Sequence, residues 1–497
     1  VAIEIELKFD ADPAARGSLS EALGGKSKRT QMRSIYFDTP EGALSSNGMA
    51  LRLRREGRRW VQTLKAGHSG TGGVHSRGEW EFERSGQTLD VTLLDATAFS
   101  QLKDREAIAS RLAPVFEVRF TREAWTVEPA PGAKLEVAFD VGSVEAHRRE
   151  APISEVEIEC IVGEPAHAFD LARKLMAQLS LHPSAVSKAQ RGYRLLRGER
   201  TRPVKAGKVH LDASLTPSDA ARAIVGAGLA QLQENAAGLA NGADVEFVHQ
   251  ARVAMRRMRS ALRLFRREIG LTRAERWRDA LGNTSRALGD SRDWDVFGLR
   301  TLPAALEAYG DESLAASVKR KVSRRRTQER EAARQALASP KHSAIVLEIS
   351  QWLAHADRGD DPPSPEPLAD FAARVIRKRR KRLLAGAMLL STLTPPEQHR
   401  VRIDAKRLRY ALDSLSSLFE PGPLELFASS VEQLQDALGD CNDAATAADL
   451  VASLEAPQAF ADFARGWFAA RVRCDAELLE PIVAELTRRR SHWLVKA

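Results

Sequence analysis

Four short stretches alternate charged with apolar residues. Glu4, Glu6 and Lys8 lie between Ile3, Ile5 and Leu7; Arg52 and Arg54 between Leu51 and Leu53; Glu79, Glu81 and Glu83 around Trp80 and Phe82; Glu155, Glu157 and Glu159 around Val156 and Ile158. On a strand, residues two apart share a face, so each stretch presents a charged row. One such row reads as the solvated side of a half-buried sheet. Rows of both signs in one sheet, if they face inward, are costly unless something bound between them uses both. A polyphosphate accompanied by a divalent metal does: guanidinium and ammonium groups grip phosphate oxygens, while carboxylates hold the metal and orient a water. The metal polarises a phosphoryl oxygen and lowers the pKa of the attacking water.

The elements that would position these rows are short strands at 2–9, 33–38, 49–55, 60–65, 79–84, 115–127, 134–141 and 154–162, separated by Gly, Pro, Asp or Ser. Helical patterns fall at 95–112 and 165–181, and the Gly/Ser-rich run 66–78 reads as a loop. Trp60, Trp80, Phe37 and Phe116 read as sheet packing rather than base stacking. With no G-x-x-x-x-G-K-[ST] loop, a P-loop nucleotide mechanism has no support, and a bare triphosphate is favoured over ATP.

Periodicity lapses over 201–216, and from 217 onward the pattern is helical, broken by the proline-rich run 355–368. The halves on either side match without a gap at an offset of about 150 residues. His249, Arg252, Arg256, Arg257 and Arg259 correspond to His399, Arg402, Lys406, Arg407 and Arg409, and Gly289, Asp290 and Asp293 to Gly439, Asp440 and Asp443. On a helix, His249, Arg252, Arg256, Arg259, Arg263 and Arg267 share one sector with almost no acid to pair with, which suits a bound polyanion. Neither histidine has a second His or Cys at i+3 or i+4, which argues against a metal role there.

The chain has 497 residues and a net charge of +9, and its length calls for at least two domains. Residues 1–200 carry 29 basic and 28 acidic side chains and the remainder 46 and 38, so the excess sits in the helical part. The three cysteines, far apart and without C-x-x-C spacing, fit a reducing compartment. No apolar run is long enough to span a bilayer, and no secretory leader is read, so a cytoplasmic location without membrane partners is expected. Scarce aromatics near the arginine stripes argue against nucleic acid.

Glu4-x-Glu6-x-Lys8, YFDT (36–39), LRLRR (51–55), TLK (63–65), RGEWEFE (77–83), Arg119 and Arg122, EVAFD (136–140), EVEIE (155–159) and SK (187–188) occur in the order of the CYTH family, or triphosphate tunnel metalloenzymes, which residues 1–200 resemble. The resemblance implies an eight-stranded antiparallel β-tunnel hydrolysing inorganic triphosphate with Mg²⁺ or Mn²⁺. Lys8, Arg52, Arg54, Lys65, Arg119 and Lys188 would grip phosphate. Glu4, Glu6, Glu157 and Glu159 would serve the metal, with Glu79, Glu81, Glu136 and Asp140 as acidic partners and Glu4, Glu6 and Lys8 as catalytic residues. Alternation sets Arg122 opposite Arg119 and leaves its role open, while Glu83 and Glu155 read as outer charges. Residues 217–497 resemble the CHAD domain, a helical module with a recurring histidine. That resemblance implies duplicated four-helix bundles, with halves about 217–355 and 369–497, around a basic groove for long-chain polyphosphate. His249, Arg252, Arg256, Arg259, His399, Arg402, Lys406 and Arg409 would line the groove, and association with polyphosphate granules follows as an expectation. The alternatives are a non-catalytic polyphosphate-binding or granule-targeting protein and an adenylyl cyclase.

Overall fold

The computed structural model describes residues 3–67, 72–198, 201–241, 244–354, 366–477 and 479–488. The chain divides into two compact units, one of residues 1–202 with 338–356 and the other of 203–337 with 357–497.

The first unit is a curled antiparallel sheet of nine strands: β1 Ile3–Asp10, β2 Lys28–Asp38, β3 Met49–Glu56, β4 Arg59–Ala66, β5 Val74–Arg84, β6 Ala113–Val127, β7 Lys134–Ala146, β8 Arg149–Val162 and β9 His182–Pro183. Their order is β5-β4-β3-β2-β6-β7-β8-β1-β9, and β1 pairs with β5 as well. The expected eight-stranded tunnel is thus corrected to a curled sheet with nine strands among the described residues, the ninth arising where His182–Pro183 adds to the end of β1 opposite Phe9 and Asp10. The run 66–78 is not loop throughout: Val74–Gly78 pair with Leu7–Ile3, and residues 68–71 lie outside the described part. The expected helix at 95–112 is two 3₁₀ turns, Val91–Ala96 and Ala98–Gln101, and one short helix, Arg105–Ser110. Thr97 stops the longer helix with an extended backbone, capping the second turn through its hydroxyl.

One core layer places Leu7, Phe9, Val137, Phe139, Val156 and Ile158 against Phe169, Ala172 and Leu175 of the helix Ala166–Gln178. Leu347 joins that layer from the helix Pro340–Ala354, whose Ser350 hydroxyl donates to Gly72 O at 3.0 Å. That helix, which the sequence periodicity assigns to the helical repeat, therefore packs within the first unit. A second layer stacks Tyr36 on Phe116 at 4.6 Å, with Tyr193 edge-on at 5.0 Å. At Gly142 on β7 a Cβ would lie 2.0 Å from Arg119 O. Gly142→Ala is expected to cost about 3 kcal/mol, the upper range of overpacking, because the obstacle is backbone that no rotamer change relieves. Chemical denaturation of the two proteins measures this.

The second unit is helical. Asp244 caps the helix Val245–Leu264, and Thr394 with Glu397 forms a capping box at the start of Pro395–Leu415. The unit is mostly helical and does not resolve clearly into two four-helix bundles. One core joins Trp294, Phe297, Leu306 and Val318 of the first half to Ala447, Val451, Phe460 and Phe468 of the second. Pro340–Ala354 belongs to the other unit, and helices of the second half contribute to this core. Among the described residues, no helix is long and apolar enough to cross a membrane.

Candidate functional site

The register of the sheet decides which charges meet. Opposite one another stand Lys8 and Glu157, Glu6 and Glu159, Glu136 and Glu159, Asp140 and Glu155, Arg122 and Asp140, Tyr36 and Arg52, and Lys65 and Glu79. Most of these side chains line one cavity of about 750 Å³. Carboxylates of β1, β5, β7 and β8 face guanidinium and ammonium groups of β3, β4 and β6 across it.

At one end the charges compensate one another. Lys8 Nζ lies 3.2 Å from Glu155 and 2.8 Å from Glu157, while Lys188 Nζ lies 2.7 Å from Asp140 and 2.8 Å from Glu157 and also touches Glu155. Arg122 forks onto both Asp140 oxygens at 2.8 and 2.7 Å and reaches Glu157. Burial works against the Lys8 ammonium, but Glu155, Glu157 and Glu6 hold its pKa well above the usual lysine value. Burial likewise works against ionised Glu157, yet Lys188, Lys8 and Arg122 keep its carboxyl well below the usual range. Asp140, Glu155 and Glu157 each bring an oxygen within 4.8 Å of the others, a spacing that can hold a cation. Lys8, Lys188 and Arg122 neutralise those three carboxylates here.

At the other end acid is in excess. Burial and then Glu157 push Glu6 up to about 7 against the pull of Lys8, and Glu6 Oε1 is buried without a hydrogen-bond partner, 3.9 Å from Lys8 Nζ. Glu159 is raised by burial, then by Glu136 and, less strongly, by Glu79. Crowded carboxylates with raised pKa values and an orphaned oxygen are a donor set for a hard divalent cation, which prefers oxygen ligands. Arg54 pairs with Glu56 at 2.5 Å and lies 3.5 Å from Glu81, yet burial and then Arg52 still lower it. Arg52 is 3.6 Å and Lys65 2.8 Å from Glu79.

Of the residues read from sequence, Glu6, Lys8, Arg52, Arg54, Lys65, Glu79, Glu81, Glu136, Glu157, Glu159 and Lys188 line this cavity. Glu4 lies on β1 opposite Arg77, and its side chain is outside the described residues. Two placements are corrected. Arg119 is exposed and pairs with Glu117 on the outer face, whereas Arg122 lines the cavity. Arg122 shares its strand parity with Phe116, Val118 and Phe120, and that apolar series is the signal in the sequence for the inward face. Glu155 is fully buried between Lys8 and Lys188 rather than an outer charge, because β8 keeps one face inward from 155 to 159. Tyr36 beside Arg52 is not evident from the sequence, since its parity on β2 falls in an unbroken buried run.

In the helical unit the two histidine helices bring Arg252, Arg256, Arg402 and Lys406 together. Arg256 sits 5.2 Å over the Tyr410 ring, and Arg252 lies 3.7 Å from Asp293. Burial, then Arg402, Arg256 and Arg252, push Lys406 down to about 7. His249 is half-buried beside Arg292 and Arg252, with Nδ1 lacking a hydrogen-bond partner. Outside this cluster, Arg259 donates to Ser285 and Arg409 pairs with Glu432, while His399 is exposed. The side chain of Asp440 is outside the described residues.

The chain thus joins a curled sheet around an ionic cavity to a helical duplication with a crowded basic cluster. Residues 2–193 match the CYTH domain and residues 223–452 the CHAD domain, and the chain belongs to the proteins that carry both. It is 34% identical over 199 residues to a Haemophilus influenzae protein named inorganic triphosphatase; the match covers 39% of this chain and 54% of that protein, about half its length. An uncharacterized Mycobacterium tuberculosis protein is 25% identical over 470 residues, covering 89% of this chain and 86% of the other. The crystal structure of the CHAD domain from the plant Ricinus communis matches with 30% identity and a TM-score of 0.51, covering 58% of this chain and 98% of that one.

Proposed function

We propose that the chain hydrolyses inorganic triphosphate in the N-terminal cavity with a divalent cation, Mg²⁺ or Mn²⁺, and binds long-chain polyphosphate on the basic helical cluster. The observation that carries the first half is one 750 Å³ cavity lined by carboxylates and cations together, with Glu6 raised to about 7 and crowded by Glu157 beside Arg52, Arg54 and Lys65. A bridging cation and a chain of phosphates would satisfy both sets of charges at once. The similarity to the Haemophilus triphosphatase supports the same reading.

In this reading the inner face of the curled sheet forms the wall of the substrate site. Arg52, Arg54, Lys65 and Arg122 hold phosphate oxygens, and the tripolyphosphate is drawn straight between them. Glu6 and Glu159, with Glu136, would hold the cation, and Glu4 is proposed to join them. When bound, that cation supplies polarisation of a phosphoryl oxygen and a more acidic attacking water. Lys8 and Lys188 fix Glu157 in its ionised form and keep the inner end of the cavity electrically balanced. Water adds to a terminal phosphorus, the anhydride P–O bond breaks, and pyrophosphate and orthophosphate leave. Replacing both Arg52 and Arg54 by Ala is expected to raise KM for tripolyphosphate at least tenfold, read from steady-state phosphate release.

The basic cluster carries its own pH signature. A polyanion raises the pKa of Lys406 above its unbound value of about 7, so binding takes up a proton. Affinity is therefore expected to be highest below pH 7 and to fall as pH rises through 8. Calorimetry in buffers of different ionisation enthalpy measures the proton uptake, and Lys406→Arg should abolish it while binding persists.

A further inference from the structure

A cavity of about 1040 Å³ lies within the helical unit, apart from the cluster formed by Arg252, Arg256, Arg402 and Lys406. The end of the first histidine helix and the turn after it contribute Arg263, Arg266 and Arg267; the helix Leu368–Ala387 contributes Lys378 and Arg379; the second histidine helix contributes Arg407. Of its three acids, Glu366 and Asp404 are engaged by arginines, and the third, Glu268, is buried and acts on Arg374. Glu366 is bound by Arg374 at 2.9 and 2.5 Å, and Asp404 is 2.8 Å from Arg382 and 3.1 Å from Arg407. Arg263, Arg266, Arg267, Lys378 and Arg379 make no ion pair among the described residues. Burial, followed by Arg407 and Arg263, pushes Arg379 down to about 10. Phe265 and Phe371 stack at 5.1 Å and form an apolar wall between these cations.

The internal duplication supplies an independent argument. Offset by 150, the positions of Arg263, Arg266 and Arg267 are occupied by Asp413, Ser416 and Ser417. The helix Leu368–Ala387 carries seven basic residues, whereas the corresponding helix of the first half, Pro217–Asn241, carries Arg222 alone. The basic cluster is thus shared between the halves, but this cavity belongs to one side only. Solvation of a helix face does not require cations from three elements to converge on one hollow, and like charges held together cost free energy unless an anion neutralises them.

We propose that this cavity is a separate binding site for a compact anion bearing several phosphate groups. Guanidinium forks pair with phosphate oxygens two at a time, which an ammonium does not match. A volume of about 1040 Å³ is large enough for one small ligand carrying several phosphates. The site does not depend on the polyphosphate reading of the cluster, and it would let a small phosphorylated metabolite act on a protein whose other sites take linear phosphate chains.

Inositol hexakisphosphate is the probe, titrated calorimetrically into the full chain at about 0.15 M salt, where the Debye length is ~8 Å and diffuse attraction is screened. Arg263→Ser with Arg379→Ser is expected to weaken this probe at least thirtyfold and long-chain polyphosphate less than threefold. Arg266→Ser with Arg267→Ser, both at exposed positions, should weaken it in the same direction without disturbing the fold, as checked by thermal unfolding. Variants in the cluster (Arg252→Ser with Lys406→Ser) and in the N-terminal cavity (Arg52→Ser with Arg54→Ser) should leave the probe's affinity within threefold. Unchanged binding in both pocket variants overturns the proposal. An equal loss of long-chain polyphosphate in those variants would overturn it too, assigning the cavity to the chain instead. Equal affinity for inositol hexasulfate would reduce it to unspecific anion exchange.

Discussion

Glu6→Gln is expected to lower tripolyphosphate turnover about 1,000-fold, the scale of losing a group that places charge at the reacting phosphorus. The fold should survive, because the side chain keeps its shape and sheds a charge that burial and Glu157 disfavour. The sign follows from linkage. A carboxyl raised to about 7 in the folded state contributes in full below the ordinary carboxyl range, where it is protonated in both states, and that stability is lost as pH rises from that range through 7. The metal-free parent should therefore lose thermal stability up to about pH 8, most visibly between about pH 5 and 7, and the Gln variant should lose less. Divalent metal should restore the parent with release of a proton, and the variant should respond weakly. Phosphate release and melting curves, each with and without Mn²⁺, separate a missing ligand from a damaged fold. Equal turnover of variant and parent would remove Glu6 from the site.

Reversing four charges, Arg252→Glu, Arg256→Glu, Arg402→Glu and Lys406→Glu, is expected to weaken long-chain polyphosphate binding more than a hundredfold. The dependence of log K on log salt should flatten by about one for each phosphate no longer neutralised. Tripolyphosphate turnover in the N-terminal cavity should stay within twofold, since none of these residues lines it. The effect is large because the four groups crowd one another in the free protein: burial together with Arg256 and Arg252 lowers Arg402, and burial together with the neighbouring arginines lowers Lys406. A polyanion relieves that repulsion, so binding draws on free energy already spent in folding. A variant with undiminished affinity would place the polyphosphate surface elsewhere.

Strand parity makes most of the N-terminal wall legible. Glu6, Lys8, Arg52, Arg54, Glu157 and Glu159 follow from alternation within single strands, and the sheet carries each row into one cavity. Arg119 is misplaced by the same rule because both arginines of β6 lie in an alternating stretch, and only the apolar series Phe116, Val118 and Phe120 distinguishes the faces. Compensation is beyond single-strand reading. Glu157 meets Lys188 from a helix thirty-one positions later, and that pairing leaves the excess acid at Glu6 and Glu159 instead. In the helical half, the offset of 150 exposes the paired basic helices without showing which members converge. Arg409 turns to Glu432, a choice made by the helix packed beside it. The departure of Pro340–Ala354 to the first unit is equally hidden, since its periodicity is that of any buried helix and its partners lie more than 150 residues earlier.

Triphosphate hydrolysis in the N-terminal cavity is put to the test by offering the full chain tripolyphosphate, ATP, thiamine triphosphate and long-chain polyphosphate with Mg²⁺ or Mn²⁺ and identifying every product. Tripolyphosphate should be consumed fastest, only with metal, yielding one pyrophosphate and one orthophosphate per molecule, while long-chain polyphosphate binds and persists. No turnover of tripolyphosphate with either metal, or cyclic AMP as the main product from ATP, would contradict it.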